Sequence, residues 1–200
     1  LDVDRLDRHV SRLLALSRVE ASTEAMDRVD LGALAGRVVS RFVADGHAVE
    51  LEIAEPMAEV LGRGEDLAMA LENLVDNAVR VSPAGVPVRV LVAAGAGTDG
   101  LRIEVTDRGP GIAPALAPRI FDRFFTTDPE RGGTGLGLAI VRSVCSAHGG
   151  QITCESPPAR EIRPGAAGAG ASEPPLGGTT MRMDLPRAGR EAAARGPRTP

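Results

Sequence analysis

The sequence predicts an α/β domain, and three observations carry that expectation. Apolar residues recur at helical spacing in "LGALAGRVVSRF", "GEDLAMALENLVDNAVRVS" and "GLGLAIVRSVCSAH". They alternate at period two in "AVELEIA", "VPVRVLVAA" and "LRIEVTD". The last two of these strands are separated only by the Gly-rich "GAGTDG", which reads as a hairpin turn and makes part of the sheet antiparallel.

The elements follow in order. Over residues 1 to about 20, Val3, Leu6, Val10 and Leu13 stand three and four apart, with Asp and Arg on the outer faces. Two heptads are too few for a coiled coil alone. Asp30 stands where an N-cap opens the helix that follows. Residues 48–54 are expected as a strand, residues 64–82 as a helix, and "IAPALAPRIFDRFF" as short helical turns broken by Pro114 and Pro118. The next helix ends at Gly149-Gly150, which suits a C-cap. "QITCES" and "TTMRMDLP" complete the strands. The stretch 156–178 between them is Ala/Gly/Pro-rich and aperiodic, and it is expected as a mobile insertion. Residues 188–200 read as a disordered tail.

Composition narrows the function. The 200 residues are 43% apolar, enough for one well-buried domain, but with no Trp or Tyr and four Phe the core must be aliphatic. A net charge of −4 with interspersed signs gives no basic footprint for nucleic acid. Cys145 and Cys154 have neither zinc-site spacing nor the density of a disulfide scaffold, so a reduced compartment is the simplest reading. No apolar run reaches the roughly 18 to 20 residues of a membrane span, and no signal peptide is present. The chain begins at Leu1 rather than Met, which suggests a fragment of a longer protein.

The helix "ENLVDNAVRVSP" poses the chemical question. Asn73, Asp76, Asn77 and Arg80 fall on one face, although Asn and Asp each cost a helix roughly 0.5 kcal/mol relative to Ala. A simply solvated face would be better made of Lys, Glu or Gln. Side-chain oxygens beside one cation suit a hard metal such as Mg²⁺ together with phosphate oxygens. In "VTDRGPGI", Asp107 ends a strand, where a carboxylate can accept from an exocyclic amine. Gly109 and Gly111 behind it let a flat ring approach the backbone. In "GGTGLGLAIV", Gly133, Gly135 and Gly137 lead into a helix whose free N–H groups favour phosphate. No Lys follows, so this is not the G-x-x-x-x-G-K-[ST] phosphate loop; the chain contains no Lys at all.

Each signal is weak alone, but their order and spacing, with "IFDRFF" between the second and third, resemble the catalytic ATP-binding domain of sensor histidine kinases. That domain belongs to the superfamily shared with gyrase, the heat-shock chaperone and mismatch-repair ATPases. "NLVDNAVR" is similar to its N box, "DRGPGI" to the first glycine box, "IFDRFF" to the F box and "GTGLGL" to the second glycine box. "GGTTMRMDLP" resembles the closing strand. The resemblance implies a two-layer α/β sandwich, its mixed and mostly antiparallel sheet covered by helices on one face. It covers residues 31–187; residues 1–30 resemble the end of the second dimerisation helix and a linker.

The resemblance also implies roles. Asn77 would hold Mg²⁺ bridging the phosphates of ATP, Asn73 would line the same site, and Arg80 would reach a phosphate. Asp107 would bind the adenine amine, with Gly109, Gly111, Ile112 and Thr179 around the base. Gly133, Gly135 and Gly137 would belong to the hinge of a flexible lid over the phosphates, Thr134, Leu136 and Leu138 would bind the nucleotide with them, and Phe121, Phe124 and Phe125 would anchor that lid. In ATPase relatives a Glu four residues before the metal-binding Asn activates water. Here that position is Asn73, which is no base at neutral pH. Glu72 is rotated about 100° off that face. Transfer to a positioned histidine is therefore favoured over hydrolysis. His9, His47 and His148 all lack the acceptor context, so the acceptor would lie on a dimerisation helix outside this chain. A response-regulator receiver domain would be the downstream partner, and a membrane-anchored homodimer the parent. A non-catalytic nucleotide-binding or interaction module, a serine kinase of the anti-sigma type and an ATPase are the alternatives.

Overall fold

The computed structural model describes residues 24–95, 100–127, 134–156 and 177–189, together with residues 10, 13, 14, 16–19 and 21. Among these, strand β1 (Asp27–Asp30), helix α1 (Leu31–Ala44), strands β2 (Val49–Ile53) and β3 (Glu59–Gly62) and helix α2 (Gly64–Val81) come first. Strands β4 (Val88–Ala94) and β5 (Gly100–Thr106), helix α3 (Gly137–Ala147) and strands β6 (Gln151–Glu155) and β7 (Thr180–Pro186) follow. Five strands form one sheet in the order β2-β4-β5-β7-β6. Only β2 and β4 run parallel; the other three pairings are antiparallel, β4 and β5 among them as expected of a hairpin.

Alternation along the strands decides the two faces. Val88, Val90, Val92, Leu101, Ile103, Val105, Met183 and Leu185 point into one core with Leu34, Val38, Leu67, Leu71, Leu74, Ile140 and Val144 of the helices. The opposite face carries a ladder of charge. Arg102 pairs with Asp184 at 2.7 Å, and Arg182 pairs with Glu104 at 2.9 Å and with Glu155. The result is a two-layer α/β sandwich with an aliphatic core.

The helix ends follow local chemistry. Asp30 caps α1 by accepting from the Ala33 N–H at 3.0 Å. At the far end of α3, Gly149 has φ +69°, and the Gly150 and Gly149 amides donate to the Cys145 and Ser146 carbonyls at 2.8 and 3.1 Å. That is the six-to-one and five-to-two pattern a left-handed glycine permits. His148, just before it, is buried; its Nδ1–H donates to the Val144 carbonyl at 2.7 Å and its Nε2 accepts from the Arg63 N–H at 3.0 Å.

Three features were not legible from periodicity. Strands β1 and β3 form a separate antiparallel ribbon, so the last four residues of the stretch 1–30 are extended and paired. The segment expected as short helical turns is a series of them, in which the Leu116, Arg119 and Asp122 N–H groups donate to the Ala113, Leu116 and Arg119 carbonyls, and only Ala117–Arg119 is regular enough for a 3₁₀ helix, which periodicity did not single out. Leu16 and Val19, near the end of the first helical segment, are buried in the core, whereas Val10, Leu13 and Leu14 are exposed. Val3, Leu6 and His9 lie outside the described residues, as do Gly133 and nearly all of both the insertion and the tail. No helix among the described residues is long and apolar enough to cross a membrane.

Candidate functional site

A cavity of about 260 Å³ opens between α2, the β5 and β7 ends of the sheet, and α3. Its walls are apolar over most of their area, with Leu74, Val81, Val105, Ile112 and Met181 among them. Polar groups enter at two places.

At the sheet end stands Asp107, where β5 stops, only 7% exposed. Its Oδ1 accepts from the amides of Gly109 at 2.8 Å and Thr179 at 3.1 Å. Both bonds fall on Oδ1, and Oδ2 is left for the cavity. Burial pushes the Asp107 carboxyl above the usual carboxylate range, and the two amides pull it back down. Glycine is required around it. A Cβ on Gly109 would stand 2.8 Å from Val81 Cγ2, and one on Gly178 would stand 2.5 Å from the Asp107 carbonyl. Gly111 has φ +78° and lines the cavity beside Ile112.

At the helix end, Asn77 and Arg80 of α2 line the cavity, and so do Thr134, Gly135, Gly137 and Leu138 at the start of α3. No side chain caps the N-terminus of α3, so its first amides are free to meet an anion. Arg80 donates to Asp76 at 2.6 Å, one turn back on the same helix. The Thr134 hydroxyl accepts from the Leu136 N–H at 3.3 Å, and the Leu136 side chain is wholly buried. Gly135 has φ +66° and lies against the backbone of Phe124 and Phe125. Phe125 lines the cavity under the Arg119 guanidinium, 4.7 Å from its ring centre. Phe121 is half-buried and off the wall, and Phe124 is exposed.

Asn73 takes a different place from Asn77. It is not on the cavity wall; its Nδ2 donates to the Met69 carbonyl at 2.8 Å, and a Cβ on Gly137 would stand 3.0 Å from its Oδ1. Asn73 thus sits at the crossing of α2 and α3, beneath the site. Glu72 faces away, accepting from Arg41 of α1 at 2.7 Å. Among the described residues no group of three or more His, Cys, Asp and Glu could hold a metal ion by itself.

Sequence reasoning missed Ser156, whose hydroxyl accepts from the Ile112 N–H at 2.7 Å and donates to the Gly178 carbonyl at 3.1 Å. It stands at the border of an aperiodic stretch, so no pattern marks it. The apolar walls Val105 and Met181 were within reach, since both continue the inward alternation of their strands.

Comparison with known proteins agrees with this geometry. The family described as histidine kinase-, DNA gyrase B- and HSP90-like ATPase matches residues 62–189. The sensor-like histidine kinase SenX3 of Mycolicibacterium smegmatis is 38% identical over 163 residues, which cover 77% of this chain and 42% of that protein. The chain therefore spans less than half the length of that relative. The solved mycobacterial sensor histidine kinase MprB superposes with a TM-score of 0.64 at 30% identity, over 80% of this chain and 97% of that one. Full-length ShkA, solved with AMPPNP, superposes with a TM-score of 0.69 at 27% identity over 92% of this chain and 36% of that one. With the four boxes folded around one cavity, the chain belongs to the histidine kinase-, DNA gyrase B- and HSP90-like ATPase family, as a catalytic ATP-binding domain of the sensor histidine kinase kind.

Proposed function

We propose that the cavity binds Mg-ATP and that the domain transfers the γ-phosphoryl group to a histidine on a dimerisation helix outside this chain. The phosphoryl group then passes to an aspartate of a response-regulator receiver domain. The observation that carries this reading is the division of the cavity into a buried acceptor at one end and an uncapped helix N-terminus with Arg80 at the other. Adenine fits the first end. Asp107 Oδ2 accepts from its exocyclic amine, and Val105, Ile112 and Met181 cover its faces. Phosphates fit the second, where the first amides of α3 and the Arg80 guanidinium meet negative charge.

A magnesium ion suits this second end only if phosphate supplies most of its ligands. Asn77 is the one amide oxygen of the N box on the wall, and Mg²⁺ commonly takes one or two protein ligands with phosphate oxygens and water. Bound there, the ion would neutralise charge on the transferring group. The protein's own contribution is placement: Asn77 orients, Arg80 shifts from Asp76 to phosphate, and Asn73 fixes the α2–α3 crossing on which both depend. Glu72, held by Arg41, offers no base to a water molecule, which supports transfer over hydrolysis.

In this reading residues 1–30 are the end of a second dimerisation helix and its linker, residues 31–187 the catalytic domain and residues 188–200 a tail. Exposed Val10 and Leu13 would meet a partner helix, and the parent would be a membrane-anchored homodimer. The test is calorimetric titration of the chain with ATP, with and without Mg²⁺, followed by transfer to a supplied acceptor-helix protein. Binding should require Asp107 and gain from Mg²⁺ only while Asn77 is present. A folded chain that binds no ATP would turn the reading to a non-catalytic interaction module.

A further inference from the structure

We propose that Ser156 sets the hydrogen-bond polarity of the base-binding end of the cavity, acting through Thr179. This rests on the adenine-nucleotide reading above.

The Ser156 hydroxyl oxygen lies 2.7 Å from the Ile112 nitrogen, 3.1 Å from the Gly178 carbonyl oxygen and 3.3 Å from the Thr179 hydroxyl oxygen. A serine hydroxyl has one proton to give and two lone pairs to receive with. The Gly178 carbonyl can only accept, so the Ser156 proton goes there. The Ile112 N–H can only donate, and it occupies one lone pair. What remains is a second lone pair, which takes the Thr179 hydroxyl proton.

The consequence falls on the cavity. Thr179 is 5% exposed, lines the cavity, and donates its N–H to Asp107 Oδ1 at 3.1 Å. With its hydroxyl proton committed to Ser156, Thr179 Oγ1 can present only lone pairs. Asp107 Oδ2, used by neither amide, also presents lone pairs. Two acceptors at this end of the cavity match a base edge that carries an amine and oppose one that carries an oxo group at that place. Ser156 touches no part of the base itself, so it is a positioning residue. Its bonds to Ile112 and Gly178 also tie the first glycine turn to the start of β7, on either side of residues 157–176.

The experiment uses the whole chain and compares ATP with inosine triphosphate, which exchanges the base amine for an oxo group. Dissociation constants for both are measured by calorimetry for wild type, Ser156→Ala and Ser156→Thr, with unfolding midpoints alongside. Ser156→Ala releases the Thr179 proton, so the preference for ATP should fall roughly three- to tenfold, the worth of one neutral hydrogen bond. Ser156→Thr keeps a hydroxyl and should restore most of the preference. Thr179→Val should lower the same ratio, and adding Ser156→Ala to it should lower it no further. An unchanged ratio in Ser156→Ala, whatever its unfolding midpoint, would overturn the proposal and leave Ser156 a purely structural brace. A wild type that binds neither nucleotide would instead overturn the nucleotide reading itself.

Discussion

Gly135 and Phe124 lock two boxes of the site together through their backbones. The Phe124 N–H donates to the Gly135 carbonyl at 2.9 Å, and a Cβ on Gly135 would stand 2.4 Å from the Phe124 carbonyl carbon. Both residues hold positive φ, +66° for Gly135 and +62° for Phe124. A non-glycine residue in that region is strained by about 1–3 kcal/mol, and the Phe124 strain is tolerated because Gly135 offers no side chain against it.

Gly135→Ala should therefore separate the two boxes. The overlap cannot be relieved by a rotamer, so the backbone of one segment must move away from the cavity. ATP affinity is expected to fall about tenfold or more, and the unfolding midpoint to fall with it, because Leu136 beside Gly135 belongs to the core. Calorimetry and thermal denaturation on the same preparation measure both. Equal affinity in the variant would show that the junction is dispensable.

Asp107→Asn separates binding from folding. An Asn Oδ1 can still accept from Gly109 and Thr179, but its Nδ2 would point a donor at the adenine amine. ATP affinity should fall by about 2 kcal/mol or more, a factor of roughly 30. Stability should move the other way. Burial raises the Asp107 pKa above its usual 3.8, so the ionised carboxylate disfavours the unliganded fold at neutral pH. The variant should match or exceed wild type near pH 7, and the difference should vanish as pH falls below about 4. A variant that binds ATP normally would remove Asp107 from the site.

His148 gives the fold an acid limit. Its Nε2 must stay unprotonated to accept from the Arg63 N–H, and burial first, then the Arg63 charge, lowers its pKa below 6.5. With a depressed folded value, the unfolded chain takes up the proton first. Stability is then full above about pH 6.5 and declines as pH falls through the folded value. His148→Gln, whose Oε1 can accept the same bond, should lower the stability by about 1–3 kcal/mol yet flatten its slope between pH 7.5 and 5.5. Parallel slopes for the two proteins would assign the acid sensitivity to another group.

Glu72→Gln tests the separation of transfer from hydrolysis. Glu72 faces Arg41 on the far side of α2, and the pair is largely exposed on the Arg41 side. Removing its charge should cost at most about 1 kcal/mol of stability and leave ATP consumption and phosphoryl transfer within twofold. A tenfold loss of either would make Glu72 part of the chemistry.

The sequence by itself determined the class of the sheet, the three helices with the Asp30 and Gly149 caps, and the four boxes, because each is a local signal. Period two and period 3.6 sort apolar residues to one face, Asp30 and Gly149 end helices through their own backbone bonds, and the Asn pair marks a helix face unsuited to plain solvent. Asp107 was legible for the same reason, at a strand end before glycines. The tertiary structure decided what depends on neighbours distant along the chain. Asn73 and Asn77 look alike in sequence, but the approach of Gly137 across α2 places one beneath the cavity and the other on its wall. The β1–β3 ribbon is two four-residue strands, too short for alternation to register, and it exists through pairing between segments about thirty residues apart. Ser156 is separated by 44 residues from Ile112 and by 22 from Gly178, and only the closing of the sheet brings its one proton and two lone pairs to the places that need them.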